Sequence, residues 1–156
     1  MRQITDIIVH HSASTWGCAN EIDEWHRDRG WDEVGYHWII CNGVLAPDMP
    51  YNQLFDGMLE RGRRTSQQGA HWKRGNAHSI GVCLIGSGEY TNFQLMKLSE
   101  LLLFLIDEHG VSAGKVRGHY EVDPGKPECP MIDMARLRQK ISRREFVFEQ
   151  GDVWRT

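Results

Sequence analysis

A single α/β domain, with helices packed on a central sheet, is predicted by three features of this chain. Short, strongly apolar runs stand at residues 6–11 (DIIVHH), 36–41 (YHWIIC) and 79–86 (SIGVCLIG). Longer segments with apolar residues at helical spacing follow them. No internal repeat or linker divides the 156 residues, a length suited to one domain with a substantial core.

In chain order, residues 6–11 read as a short buried strand. Residues 20–29 read as a helix with Ile22 and Trp25 on its apolar face, Asn20 as N-cap and Gly30 as its stop. Residues 36–41 form a second strand, and Asn42-Gly43 signals a hairpin turn into a strand at 44–46. From 47 to 76 the periodicity fades, and Gly57, Gly62, Gly69 and Gly75 mark a long, partly irregular connection. Connections of that length inside a compact domain tend to be functional. The run at 79–86 is the most apolar and is expected at the centre of the sheet. Thr91 caps a helix that carries Leu95, Leu98, Leu102 and Leu105 to His109 and stops at Gly110. A short strand at 115–119, a Pro/Gly loop to Pro130 and a helix at 132–142 follow. The domain is assigned to residues 1–142, and residues 143–156 are a tail of unknown role.

Composition removes several classes. Hydrophobic residues are 40% and charged residues 25%, as in ordinary globular domains. The net charge of -3 has no basic block, so nucleic acid is not an expected partner. No stretch approaches the roughly 18–20 apolar residues of a membrane span, so no membrane insertion is expected. The N-terminus offers only the short run IIV, where a secretory signal needs an apolar core of about 7–15 residues. With no signal peptide, the chain is expected in the cytoplasm of the cell that makes it.

Cys41 and Cys83 lie in apolar runs and read as buried core thiols, and Cys18 sits in a polar loop. Cys129, between Glu128 and Pro130, is the unusual one. His10 and His11 end the first strand, and successive strand side chains face opposite ways, so one of the pair faces any given site. In HYEVDPGKPECP, residues 119–130, His119 precedes a turn-rich loop to Cys129. Such a loop could fold back to present nitrogen and sulfur together, a set that zinc accepts while keeping a fourth position for water. Spacing alone leaves core histidines open as well; a Cys–His hydrolase with Cys129 as nucleophile and His119 as base fits the residue types, but Pro130 and the presence of His10 count against it.

VHHSAS, GWDEVGYHWII, GAHWKRGNAHSIGVCLIG and GHYEV…K…CP occur in this order across roughly residues 5 to 140. Together they resemble the zinc-dependent N-acetylmuramoyl-L-alanine amidases of the bacteriophage endolysin type, within the wider amidase and peptidoglycan-recognition-protein superfamily. The resemblance implies a central mixed β-sheet flanked by helices, with one zinc ion at the bottom of a substrate groove. It implies His10, His119 and Cys129 as the metal ligands, with His11 turned to the other strand face. Tyr36 matches a catalytic tyrosine and His37 a residue near the site; His71 and Asn76 match a loop that contributes to the groove, and His78 is a surface or packing residue. One departure concerns the catalytic lysine, which in close relatives stands two positions before the cysteine. Here Pro127 holds that position and Lys126 precedes it, so the long Lys126 side chain is the candidate.

The implied activity is cleavage of the amide between N-acetylmuramic acid and L-alanine in bacterial peptidoglycan. The implied setting is a monomer in the host cytoplasm, released across the inner membrane by another protein. Two alternatives are a non-catalytic peptidoglycan-recognition protein and a cytosolic amidase that recycles muropeptides. Relatives of the last kind usually carry aspartate and glutamate where this chain has Cys129 and Tyr36.

Overall fold

The computed structural model describes residues 1–149 and 151–153. Its sheet has five strands, β1 (Asp6–His11), β2 (Trp38–Asn42), β3 (Asp56–Arg61), β4 (Ser79–Leu84) and β5 (Val116–Gly118), in the order β3-β2-β4-β1-β5. β2, β4, β1 and β5 run parallel, and β3 is antiparallel to β2, so the sheet is mixed. β4, the most apolar strand, is central. The helices are α1 (Ala19–Asp28), α2 (Asn92–His109), α3 (His119–Val122) and α4 (Met134–Ser142).

Strand alternation gives the sheet two unlike faces. Ile7 and Val9 of β1, Ile40 of β2 and Ile80, Val82 and Leu84 of β4 belong to the larger core. There they meet Leu95, Leu98, Leu102 and Leu105 of α2 and Leu137 and Ile141 of α4. Each fully buried leucine or isoleucine contributes about 1.5–3 kcal/mol. α2 starts with a capping box, Thr91 accepting from the Gln94 N–H while the Gln94 side chain accepts from the Thr91 N–H, and ends on left-handed Gly110. The opposite face carries a smaller cluster in which α1 contributes Ile22 and the sheet contributes Ile39 and Cys83. α1 covers only part of that face, and His10 and Gly81 share the uncovered remainder.

The structure corrects several expectations. Asn42-Gly43 does not make a two-residue hairpin, and no strand forms at 44–46. The Asn42 side chain accepts from the Val44 N–H and Gly43 O accepts from the Asn52 N–H, so the chain makes a wide excursion before β3. β3 falls where no strand is predicted, because this edge strand is only half-buried and Gly57 is pressed against Phe93. α1 takes Cys18, not Asn20, as N-cap. The last helix starts at Met134 because the Asp133 side chain caps it through the Arg136 N–H. Beyond Ser142 the described residues fold back: Phe148 and Val153 join the core, and Asp152 pairs with Lys140 and Arg136. Among the described residues, no helix is long and apolar enough to cross a membrane.

The connection between β3 and β4 is tied down by Arg2. Its guanidinium donates to the carbonyls of Thr65, Gln67, Asn76, Ala77 and Ser79.

Candidate metal centre

The pairing of β1 with β5 builds the first half of the site. Ile7, Ile8 and Val9 lie opposite Val116, Arg117 and Gly118, so the next residues along, His10 and His119, emerge side by side. His10 is buried on β1, and His119 opens α3 directly after β5, not the strand end expected for it. Their Nδ1 atoms are 3.1 Å apart. The loop after α3 returns Cys129 to them: its carbonyl accepts from the Tyr120 N–H at 2.8 Å, and its N–H donates to Lys126 O at 3.2 Å. Cys129 Sγ lies 3.9 Å from His10 Nδ1 and accepts from the His11 N–H at 3.4 Å. His11 thus serves the site through its main chain and also lines the groove.

The three donor atoms of His10, His119 and Cys129 all lie within 4.8 Å of one another. Tetrahedral zinc with ordinary bond lengths would separate two nitrogens by about 3.3 Å and a nitrogen from a sulfur by about 3.6 Å. The electrostatics suit such an ion. Burial first, then the neighbouring His71, His119, His11 and Lys126, holds His10 well below the usual histidine range. Burial brings His119 down to about 4, Asp123 acting the other way. Both imidazoles are therefore neutral and have a lone pair to give. Burial pushes the Cys129 thiol up to about 11, opposed by the His11 N–H and Lys126. That is the reverse of an activated nucleophilic cysteine, whereas a bound divalent cation strips the proton from a coordinating thiol.

A groove of about 590 Å³ opens over these groups. The Tyr36 ring stands 5.0 Å from that of His10. Burial first, then the neighbouring Cys83 and Cys129, keeps its phenol neutral to well above its ordinary range. Lys126 lines the groove despite its shifted place in the sequence. Asn76 also lines it, and its side-chain oxygen accepts from the N–H groups of His71 and Trp72, which shapes that turn. His71 reaches His10, with its Nδ1 2.9 Å from His10 Nε2. His37 lies behind this wall: it is fully buried, with Nδ1 accepting from the Gly81 N–H and Nε2 donating to Gln67 O. His78 packs against Trp72 and Thr5, away from the groove. The structure therefore gathers seven of the eight expected residues at one groove and sets His37 apart.

His26, Trp31 and Trp72 are among the groove residues that escape sequence reasoning. His26 accepts from the Gly35 N–H at 2.9 Å and packs against Trp31 and Tyr36. It stands four residues after Ile22 on the buried side of α1, a spacing that signals core rather than site. Trp31 and Trp72 complete the rim, and nothing in their sequence positions distinguishes them from packing aromatics.

A buried pair of imidazoles and a thiol at the floor of an open groove, beside a phenol and an ammonium group, is the construction of a metal-dependent hydrolase. Comparison with known proteins narrows this class. The chain belongs to the N-acetylmuramoyl-L-alanine amidase family, whose model matches residues 1–131. It is 34% identical over 151 residues to the endolysin of Escherichia phage T7, covering 89% of each chain. Among solved structures it is similar to the endolysin N-acetylmuramoyl-L-alanine amidase LysCS of Clostridium intestinale, with a TM-score of 0.67 and 25% identity over 83% of this chain and 76% of that one. Drosophila PGRP-LB is similar with a TM-score of 0.66 and 25% identity, covering 95% of this chain and 85% of that one.

Proposed function

We propose that this chain is an endolysin that hydrolyses the amide between N-acetylmuramic acid and the L-alanine of the stem peptide, with one zinc ion held by His10, His119 and Cys129. The carrying observation is the convergence of those three donors on the groove floor, in a chain that matches phage endolysins over most of its length.

Zinc, when bound, supplies a Lewis acid that polarises the amide carbonyl and lowers the pKa of water toward about 7. The residues around it divide the remaining work. Tyr36 offers a neutral O–H at the groove floor, placed to orient the attacking water and to hold its proton in passing. Lys126, on the groove wall, sets a positive charge where the carbonyl oxygen becomes negative. His71, Asn76 and Trp72 shape the wall on which the substrate lies, and His37 braces that wall from behind by joining β4 to the 62–67 loop. In this reading the enzyme works as a monomer on the host cell wall, after another protein has opened the inner membrane.

Elemental analysis of purified protein, paired with mass analysis of digested sacculi, tests this reading. About one zinc per chain and free stem peptides beginning at L-alanine are expected. Lys126→Ala should keep the zinc and lose turnover, whereas Cys129→Ala should lose both. Protein that binds no zinc and leaves sacculi intact would overturn the proposal.

A further inference from the structure

We infer that His71 is a positioning residue for the metal site, accepting the Nε2–H of His10 and thereby holding the His10 Nδ1 lone pair toward the metal position. This rests on the zinc reading above and assigns His71 a role distinct from substrate contact.

The inference follows from counting protons along one buried chain of groups. A neutral imidazole has one N–H and one lone pair, so a line of such rings must be polarised one way throughout. The direction is set at the far end. Ser79 Oγ lies 2.7 Å from Gly75 O and 3.3 Å from His71 Nε2. A carbonyl can only accept, so the single serine hydrogen goes to Gly75. Ser79 then has lone pairs alone for His71, and His71 Nε2 carries the hydrogen. His71 Nδ1 is left bare, 2.9 Å from His10 Nε2, which must donate to it. His10 Nδ1 is consequently bare as well, and it is the atom that faces His119 Nδ1 and Cys129 Sγ.

Packing shows that His71 is built into this place. A Cβ on Gly81 would stand 2.6 Å from its ring, and one on Gly69 would also stand 2.6 Å from it. Two side chains are thus omitted around one imidazole. The Asn76 side chain fixes its main chain. The other imidazole ligand is supported differently: His119 Nε2 has the Asp123 carboxylate at 3.7 Å, at the groove edge. Outer partners of this kind orient a ligand ring, and their loss typically weakens metal affinity about 10–100-fold.

Zinc affinity, measured by competition with a chromophoric chelator, should therefore fall about 10–100-fold in His71→Ala. His71→Asn, whose amide oxygen can take the place of Nδ1, should recover much of that loss, and Ser79→Ala should fall between wild type and His71→Ala. The wild-type holoenzyme gives a test that no folding defect can obscure: imidazole nitrogen NMR should show His71 protonated at Nε2 and bare at Nδ1. Affinity in His71→Ala within about threefold of wild type, or a proton on His71 Nδ1, would overturn the inference. Wild-type protein with no zinc affinity would instead sink the metal reading, and this inference with it.

Discussion

Gly81→Ala gives a direct test of how tightly the imidazole of His71 is held. A Cβ at position 81 would lie 2.6 Å from His71 Cγ, 2.7 Å from Cδ2 and 2.9 Å from Nδ1. All three are ring atoms, so no flexible end can swing aside. Retreat of the ring is opposed by its bonds to His10 and Ser79 and by the close approach of Gly69. Overpacking of this kind costs about 1–3 kcal/mol. Replacing glycine by alanine also removes freedom from the unfolded chain, which returns about 0.4–1 kcal/mol. The net loss in the wild-type background should be about 0–2.6 kcal/mol. In a His71→Ala background the obstructing ring is gone, so the same change should be neutral or stabilising by up to about 1 kcal/mol. The double-mutant cycle should then show a coupling of about 1–3 kcal/mol. Urea unfolding of the four proteins in excess chelator measures it without a contribution from metal binding. If Gly81→Ala costs the same in both backgrounds to within about 0.5 kcal/mol, the cost comes from the strand and not from the ring.

Two further outcomes follow from groups outside the ligand set. Burial lowers His26 and His37 to about 4, against an unfolded value near 6.5, so between these values the unfolded chain binds more protons and stability must fall as the pH drops from about 6.5 to about 4; His26→Asn, which can still accept from the Gly35 N–H, should show a shallower fall in urea titrations across that window, and an unchanged slope would refute the assignment. Thr91 closes the capping box of α2 and also donates to Asp56, so Thr91→Ala should cost about 1 kcal/mol or somewhat more, read as a lower urea midpoint at constant m-value.

What the sequence revealed, and what it concealed, divides by the range of the interaction. Alternation along β1 sets Val9 in the larger core and His10 on the opposite face, as the local rule requires, although His11 at the strand end also lines the groove. α2 is legible from end to end, because its cap, its leucine spacing and its terminal glycine all lie within one stretch. The ordered motifs point to the proposed ligands through resemblance, but the reason His119 stands beside His10 is a pairing with a three-residue strand, too short to carry a periodic signal. β3 was hidden because its exposure and its glycine erase the apolar alternation. Arg2 was invisible as a structural hub, since each carbonyl it binds lies more than sixty residues away.

The two faces of the sheet explain why stability and site geometry can change separately. Changes among Leu98, Leu102 and Val82 act within the larger core, which holds none of the three proposed metal ligands. The smaller cluster of Ile22, Val34, Ile39, Cys83 and Ile85 packs directly against Tyr36. A residue that reads as an inert core thiol is thus part of the packing that aims the tyrosine. His10 lies opposite Cys83 in the β1–β4 register, so the same two strands place both the first ligand and the support of the phenol.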